Sequence, residues 1–340
     1  MPYEIKRKRS TARLQLISFL TGCMLIFAFS SLAQNSPSQP QPQASATTNP
    51  APFATSIKKT VALLRVMFVK GNVPMISEGT CFFISYADQR LGPTGGFSYL
   101  VTNRHVASPG IEDGTLYPIV ETHVRLNLRD SAQGSEEANI FIGGTSHWYF
   151  PADDSVDLAV LPLLPDQTKY DYLMIPDSLV ATHDFVEARG ISEGDSVLFT
   201  GYFYQFPGLK KFQPIIREGI LAMMPDEKMQ TTLKKPGNLY LADLHVFGGN
   251  SGSPLLVNLG GLRNGNIVAG YEYHLLGIIS GFYHEDSNLN LTIATTYTGT
   301  LEQNSGIAMV VPANELKALL DSADLKAQRD AEVARMKTPH

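Results

Sequence analysis

Short runs of apolar or alternating residues recur from Val61 to Val311 and are separated by Gly, Pro, Asn and Asp. Four of the clearest are VALLRV at 61–66, VRLNL at 124–128, DSVLF at 195–199 and LLGII at 275–279. Strands of this length, broken repeatedly by turn residues, are typical of sandwiches and barrels. The pattern therefore predicts an all-β core over this part of the chain.

Helical periodicity is clear only near the end of the chain. After Pro312, leucines recur at helical spacing between Leu316 and Leu325, which predicts a helix packed on the domain. Beyond Lys326 the residues are mostly polar and charged, so a frayed C-terminal end is expected.

The first 33 residues have the pattern of an export signal. A basic run at 6–9 is followed by a mostly apolar stretch at 16–29 and by Ser-Leu-Ala at 31–33, the small-x-small pattern of a cleavage site. The sequence therefore predicts a signal peptide at 1–33 and a protein that is periplasmic or secreted. Two other interpretations stay open, because Leu-Thr-Gly-Cys at 20–23 also fits a lipoprotein cleavage site and an uncleaved segment would anchor the chain to a membrane.

Composition narrows the class of protein. Residues 34–53 are rich in Pro, Gln, Ser and Ala and are predicted to form a disordered linker. The chain of 340 residues is 44% hydrophobic and 17% charged, which suits a globular domain with an ample core. A net charge of −5 and the lack of a basic stripe give no support for a nucleic-acid partner.

Cysteine use is sparse. Loss of Cys23 with the signal peptide leaves only Cys81, so no intramolecular disulfide is expected. Cys81 lies in a strand-like run at 79–84, and a buried, inert thiol is the favoured interpretation. The sequence has no His-Cys spacing typical of a metal site, and neither a metal nor a cofactor is expected.

Candidate chemistry centres on Gly-Gly-Asn-Ser-Gly-Ser-Pro at 248–254. A serine in a glycine-rich turn has an exposed hydroxyl and nearby backbone N–H groups that can hold an oxyanion. Upstream, Thr-Asn-Arg-His-Val contains His105, and Asp-Leu-Ala-Val-Leu between the two begins with Asp157. His105, Asp157 and Ser251 therefore follow one another in the chain order of the chymotrypsin triad.

With these segments placed, the chain resembles the trypsin/chymotrypsin-fold serine endopeptidases, in particular the bacterial disulfide-free branch that includes HtrA-type and glutamyl endopeptidases. The resemblance covers roughly residues 58–320. Its further motifs are EGDSVLFTGY at 193–202, IREGIL at 216–221, GIIS at 277–280 and GIAMVVP at 306–312. HtrA-type proteases usually carry a peptide-binding PDZ module after the protease, and none is expected here.

The resemblance implies a fold and domain boundaries. Two antiparallel six-stranded β-barrels are expected, the first over 54–170 and the second over 171–312, followed by a C-terminal helix and tail at 313–340. The site would lie in the cleft between the barrels. The segments 171–190 and 282–304 would alter access to that cleft.

The resemblance also implies roles for the candidate residues. Ser251 would be the nucleophile, His105 the base that takes and returns its proton, and Asp157 the group that orients the imidazole. The backbone N–H groups of Gly249 and Ser251 would form the oxyanion hole. Asn250 departs from the trypsin branch, which has Asp there to pair with a newly released N-terminus, so no zymogen switch of that kind is expected.

A substrate pocket follows from the same resemblance. His245 would form its floor, and Ser280, Gly281 and Phe282 its wall. Phe282 stands where many relatives have glycine, and a ring there would favour small or medium apolar substrate side chains. Glutamyl endopeptidases carry a pocket His immediately before the position of Ser280, where this chain has Ile279, so specificity for Glu is not expected.

Three functions are compatible with these residues. The leading one is an exported serine endopeptidase that acts on protein or peptide substrates. A catalytically silent trypsin-fold binding module and a small-molecule ester or amide hydrolase stay open, as does the oligomeric state.

Overall fold

The computed structural model describes residues 53–130, 132–140, 147–263, 265–292 and 296–337, within a unit that spans Pro50–His340. The predicted signal peptide at 1–33 and the linker up to residue 52 lie outside the described residues. Phe53, the last residue of the predicted linker, is the first residue of a short helix.

The first part of the chain forms one sheet. Its strands are β1 (Val61–Lys70), β2 (Val73–Ala87), β3 (Gly96–Thr102), β4 (Ile119–Asn127), β5 (Ser135–Asn139), β6 (Ala159–Pro162) and β7 (Ile175–Pro176). The strand order is β5-β4-β1-β2-β3-β6, and β7 pairs in parallel with β2. Along β4, Val124 and Leu126 are buried while their neighbours are partly exposed, which is the period of two that one buried face requires.

The second part forms a closed barrel. Its strands are β8 (Ser196–Gly201), β9 (Ile215–Met223), β10 (Met229–Gln230), β11 (Pro236–Gly237), β12 (Tyr240–Asp243), β13 (Pro254–Asn258), β14 (Gly261–Arg263), β15 (Asn266–Val268), β16 (Tyr273–Thr292) and β17 (Thr296–Pro312). The barrel has the order β12-β17-β16-β13-β8-β9, while β10 pairs with β11 and β14 with β15 as separate hairpins. Closure leaves these six strands without an open edge.

The predicted all-β fold of the trypsin type is confirmed. The second barrel has the six strands that were predicted, and the first sheet has a path of six strands with β7 added. Within the described residues, no strand pairing joins β5 to β6, so that sheet is not closed as the second barrel is. In the predicted access segment at 282–304, residues 282–292 belong to β16 and residues 296–304 belong to β17.

Helices are few and mostly short. They are α1 (Phe53–Lys58), α2 (Arg104–Ala107), α3 (His183–Arg189), α4 (Ala313–Leu320) and α5 (Ala323–Lys337), and single 3-10 turns occur at Gln89–Leu91, Ile111–Asp113 and Asp177–Leu179. The sequence pattern did not predict α3, although Thr182 caps its N-terminus. Among the described residues, no helix is both long enough and apolar enough to cross a membrane.

The frayed end expected beyond Lys326 is wrong, because α5 continues to Lys337. Leu325, Arg329 and Val333 lie on the buried side of this helix. The guanidinium of Arg329 donates to the Tyr99 hydroxyl at 3.0 Å and lies 4.1 Å from the centre of the Tyr86 ring. A positive group therefore occupies the buried face of α5, against the first sheet.

Cys81 lies on β2 and is fully buried. Its thiol contacts the backbone oxygen of Ala62 at 3.5 Å, and burial raises the pKa of the thiol well above its usual value. The prediction that Cys81 is buried is confirmed. Its inertness stays a prediction, which is in agreement with the raised pKa because a thiol held protonated is a poor nucleophile.

Candidate active site

The pairing of β3 with β6 brings His105 and Asp157 together. Thr102 at the end of β3 lies opposite Ala159 at the start of β6, so the residues just beyond each strand are neighbours. The backbone N–H of His105 donates to one carboxylate oxygen of Asp157 at 3.0 Å, and its ring Nδ1 lies 2.7 Å from the other. Because a carboxylate only accepts hydrogen bonds, Nδ1 carries the proton and Nε2 is left as the base.

The two groups shift each other's pKa. Burial alone would lower the pKa of His105, but the charge of Asp157, its hydrogen bond and the charge of Glu112 raise it above its usual value. Burial would raise the pKa of Asp157, but His105 and the Ser280 hydroxyl lower it below its usual value. The imidazolium and the carboxylate therefore stabilise each other's charge.

Two hydroxyl groups complete the surroundings of Asp157. The Ser280 hydroxyl lies 2.6 Å from Oδ2, and the Thr232 hydroxyl lies 2.8 Å from the same oxygen. Asn103 donates its side-chain N–H to the backbone oxygen of Asp157 at 2.8 Å. Asp157 is 1% exposed, so its carboxylate depends on these protein donors rather than on solvent.

Ser251 lies immediately before β13, next to the strand that carries Ser280. Pro254 pairs with Ile278 across β13 and β16, and the Gly252 N–H donates to Ile279 O at 2.8 Å. The Ser251 hydroxyl donates to Ser280 O at 3.0 Å. Rotation about χ1 of Ser251 would turn the hydroxyl away from Ser280 O. In resting enzymes, catalytic hydrogen bonds are often long or poorly aligned and tighten only when substrate is bound.

The backbone before Ser251 forms a type II turn. The N–H of Asn250 donates to Phe247 O at 3.0 Å, and Gly249 has a φ of +91°, the sign that the third residue of a type II turn requires. In the described part of the chain, the N–H groups of Gly249 and Ser251 donate to no protein acceptor. Two free donors beside the hydroxyl are what an oxyanion hole needs.

Side chains hold this turn in place. Asn250 is 1% exposed, accepts from the Phe247 N–H at 2.8 Å and donates to Tyr202 O at 2.6 Å. The Tyr202 ring covers Gly249 so closely that a Cβ on the glycine would lie 2.6 Å from it. Asn250 thus has a structural role within the turn, where the trypsin branch has its Asp.

Thr80 on β2 ties the turn to the first sheet. Its hydroxyl donates to Gly249 O at 2.8 Å and accepts from the Tyr202 N–H at 2.9 Å. Its backbone N–H donates to Ser251 O at 2.8 Å. Gly249 O and Ser251 O are therefore engaged by the first sheet, while the N–H groups of the same two residues have no acceptor among the described residues.

The residues predicted to line a substrate pocket occupy different surroundings. Ser280 is buried, with its hydroxyl on Asp157, and Gly281 lies against the methyl group of Thr232. Phe282 lines a cavity of about 580 Å³. The other lining residues are Glu78, Tyr202, Tyr204, Phe247, Gly248, Gly249, His284 and Asn304.

His245 is exposed, and its ring lies over Gly306, where an added Cβ would come within 3.2 Å of the imidazole. Among the described residues, no hydrogen bond links the His245 side chain to His105, Asp157 or Ser251. The assignment of His245, Ser280, Gly281 and Phe282 to a substrate pocket stays a prediction.

Sequence reasoning did not find Thr80 or Thr232. Thr80 is 169 residues from Gly249, and Thr232 is 75 residues from Asp157. Thr80 lies in the strand-like run at 79–84 and Thr232 in a polar stretch, and these patterns predict a strand and a turn without assigning either residue to the site. No local signal could have identified them.

Comparison with known proteins gives one family match. The chain matches the family described as a trypsin-like peptidase domain over residues 79–262, which is more than half of its length. No curated protein matches.

Two of the similar solved structures are Deg5 and an HtrA-type protease. The structure of Deg5 is 16% identical over 67% of this chain and 81% of its own, with a TM-score of 0.40. The HtrA-type protease AlgW with a decapeptide is 18% identical over 79% of this chain, with a TM-score of 0.43, and this chain covers 66% of its length.

Proposed function

Since the chain belongs to the trypsin-like peptidase family, we propose that it is a serine endopeptidase that cleaves peptide bonds through an acyl-enzyme on Ser251. The observation that carries the proposal is the combination of two features. Asp157 holds the Nδ1–H of His105 at 2.7 Å, and the turn beside Ser251 presents two N–H donors that have no acceptor among the described residues.

The first half of the reaction would acylate Ser251. Its oxygen attacks the carbonyl carbon of the peptide while the hydroxyl proton passes to Nε2 of His105. The carbonyl oxygen becomes an oxyanion and accepts from the N–H groups of Gly249 and Ser251. The C–N bond then breaks, and the departing amine takes the proton from Nε2.

The second half would release the acyl group. A water molecule gives a proton to Nε2 of His105 and attacks the ester carbonyl through the same oxyanion. When the C–O bond to Ser251 breaks, Nε2 returns the proton to the serine oxygen. Asp157 stays ionised throughout and stabilises the imidazolium, in agreement with the lowered pKa of its carboxyl group.

A fluorophosphonate probe on the full chain tests the nucleophile. An activated Ser251 displaces fluoride and forms a P–O bond, so peptide mass spectrometry should find the label on Ser251. Ser251→Ala should lose the label. Ser253→Ala is the matched control, because the Ser253 hydroxyl is buried and has no hydrogen-bond partner among the described residues; this variant should label like the parent chain.

Two substrates separate the proposal from its alternatives. Cleavage of casein at internal bonds supports an endopeptidase, whereas hydrolysis of a small ester without cleavage of casein indicates a small-molecule hydrolase. A folded chain that neither labels nor cleaves is a binding module, and that result would overturn the proposal.

Export is part of the same proposal and rests on the pattern of residues 1–33. N-terminal sequencing of the protein recovered from a bacterial envelope or medium should begin at Gln34. A lipid-modified Cys23 would indicate a lipoprotein, and a mature chain that keeps residues 16–29 would indicate an anchor; either result replaces the cleaved signal peptide.

A further inference from the structure

The geometry points to Thr232 as a positioning residue for the carboxylate of Asp157. Thr232 lies on a hairpin that is attached to the segment after His105 and to the segment before Asp157. This inference rests on the proposed function, because it assigns Thr232 a part in the same reaction. Thr232 would not touch the substrate. It would act through Asp157 on the basicity of His105.

Three oxygen atoms lie in mutual contact at this point. Thr232 Oγ1 is 2.8 Å from Asp157 Oδ2 and 2.7 Å from Ser280 Oγ, and Ser280 Oγ is 2.6 Å from Asp157 Oδ2. The two hydroxyl groups have one proton each for three short contacts, while the ionised carboxylate can only accept. Either both hydroxyl groups donate to Asp157, or one of them donates to Asp157 and the other donates to that hydroxyl oxygen.

Both arrangements direct hydroxyl protons toward the carboxylate. Asp157 and Ser280 are each 1% exposed, so solvent does not replace a lost donor easily. Hydrogen bonds to a charged acceptor are roughly twice as strong as neutral ones. Thr232 thus stabilises the anion of Asp157 and fixes the carboxylate plane against which the imidazole is aligned.

The hairpin that carries Thr232 has a tight tip. The N–H of Lys234 donates to Thr231 O, and the N–H of Thr231 donates to Lys235 O, both at 2.9 Å. Lys234 has a φ of +57°, a left-handed conformation that non-glycine residues rarely adopt. Such a conformation persists where the surrounding contacts hold it.

Two lysines of this tip cross to the first sheet. Lys234 pairs with Asp113 at 2.6 Å, in the 3-10 turn that follows the His105 helix, and Lys235 pairs with Asp154, three residues before Asp157. Each ion pair is exposed and weak by itself. Together they attach the tip of the hairpin to the segment that follows His105 and to the segment that precedes Asp157.

Gly281 provides the space that Thr232 occupies. A Cβ on Gly281 would lie 2.7 Å from Thr232 Cγ2, closer than side-chain carbons approach one another. The absence of a side chain at Gly281 therefore allows the Thr232 methyl group to lie against β16 while its hydroxyl reaches Asp157. Gly281→Ala would push Thr232 away from Asp157 without changing any polar group.

The expected effect on His105 has a definite sign. The hydroxyl proton of Thr232 places partial positive charge near the imidazole and so disfavours the imidazolium. Loss of the hydroxyl group should therefore raise the pKa of His105, and also that of Asp157, which loses a hydrogen bond to its anion. Besides Asp157, the charge that acts on His105 among the described residues is Glu112, which also raises its pKa. Arg104 precedes His105 on the same helix, and its guanidinium lies over the Phe150 ring.

The test compares Thr232→Val, which keeps the shape and loses the hydroxyl, with Thr232→Ser, which keeps the hydroxyl. The pH profile of kcat/KM is measured on the full chain, and the Nδ1 proton of His105 is titrated by NMR and identified by its loss in His105→Gln. We expect Thr232→Val to lower kcat/KM about ten-fold and to move the acid midpoint and the NMR titration to higher pH. Thr232→Ser should restore both.

Two results would overturn the inference. One is a Thr232→Val chain with the parent rate and the parent titration. The other is an equal loss in Thr232→Val and Thr232→Ser with an unchanged His105 titration, which indicates a role in packing alone. If Thr232→Val does not fold, Gly281→Ala replaces it, because the added Cβ would push the Thr232 hydroxyl away from Asp157. The pH profile and the NMR titration are then measured on Gly281→Ala.

Failure of the proposed function gives a different result. If the parent chain cleaves no substrate, the NMR titration still reports whether Thr232 acts on the Asp157–His105 pair. A shift in Thr232→Val without activity in any chain would support the positioning role and reject the endopeptidase.

Discussion

The turn that carries Ser251 and the wall that carries Phe282 line the same cleft but are built in different ways. In the turn, Asn250 bonds to the backbone on two sides and Thr80 engages Gly249 O and Ser251 O. In the wall, Phe282 is partly exposed, pairs with Ala308 across β16 and β17, and has its ring centre 4.7 Å from that of His284. Hydrogen bonds hold the backbone in both regions, but the turn presents backbone N–H groups to the cleft, whereas the wall presents a side-chain ring.

This difference separates two demands on the site. Transition-state stabilisation requires donors held in one position before the substrate arrives, because reorganisation during the reaction costs free energy. Selection among substrates requires only that the shape of the cavity differ for competing side chains. Changes in the turn should therefore affect the rate for every substrate, and changes in the wall should affect the choice between substrates.

The largest effect is expected for Gly249→Ala. A methyl group at a φ of +91° would be strained and would lie 2.6 Å from the Tyr202 ring, so the turn would move and its N–H would leave the oxyanion. We expect kcat to fall about 10²–10³-fold, the cost of one lost oxyanion donor, as measured by steady-state kinetics.

Gly194→Ala is the matched control for this change. Gly194 also has a φ of +91°, but nothing lies within 4 Å of its Cβ position. It should lose stability through backbone strain and keep its kcat. An equal loss of kcat in both variants would mean that the turn is no more constrained than an ordinary loop.

The second prediction concerns a part of the molecule outside the cleft, the buried guanidinium of Arg329 on α5. Arg329→Ala removes the hydrogen bond to Tyr99 and the contact with the Tyr86 ring. We expect the free energy of unfolding to fall by about 2–3 kcal/mol, measured by urea denaturation, with kcat/KM of the folded chain unchanged.

Arg335→Ala on the same helix is its control, because that side chain is 74% exposed. Its effect on the free energy of unfolding should stay within about 0.5 kcal/mol. If Arg329→Ala were as mild, burial of the guanidinium would be unimportant for the attachment of α5.

The third prediction concerns the wall. Phe282→Gly enlarges the cavity of about 580 Å³, so the ratio of kcat/KM for large over small P1 side chains should rise about 10- to 200-fold. A peptide library measures the ratio. Labelling of Ser251 by the fluorophosphonate should be unchanged, and a matching fall in labelling would show that the wall also supports the turn.

The smallest effect is expected for the charge of Glu112. The pKa of His105 is raised, and only the neutral imidazole can act as base, so the acid midpoint of kcat/KM should lie above about 6.5. Glu112→Gln removes one cause of the increase and should lower the midpoint by less than about one pH unit. Glu332→Gln on α5 is the control and should leave the midpoint in place.

The sequence predicted the parts of the site that are local in the chain. His105, Asp157 and Ser251 are predicted from short motifs. The pairing of β3 with β6 brings His105 to Asp157, and the pairing of β13 with β16 places Ser251 beside Ser280, whose hydroxyl bonds to Asp157. Thr80 and Thr232 could not be predicted in this way. Their roles arise from contacts between distant segments, which the identity of a threonine does not specify.

The end of the chain shows a second limit. Leu325, Arg329 and Val333 are spaced by four and share the buried face of α5. Because Arg329 stands between Leu325 and Val333, the apolar periodicity is broken in the sequence, and the pattern predicts a polar, frayed end instead of a packed helix. A buried cation that is matched by aromatic rings is a tertiary arrangement, and hydrophobic patterning does not detect it.

Thr80 also determines when during synthesis the nucleophile turn can form. Three of its hydrogen bonds cross from β2 to residues of the second half, namely Gly249, Ser251 and Tyr202. Neither half contains both ends of these bonds, so the second half by itself lacks the contacts that hold the turn. Formation of the turn is therefore tied to the docking of β2 against it, and cannot begin before the chain has been made as far as Ser251.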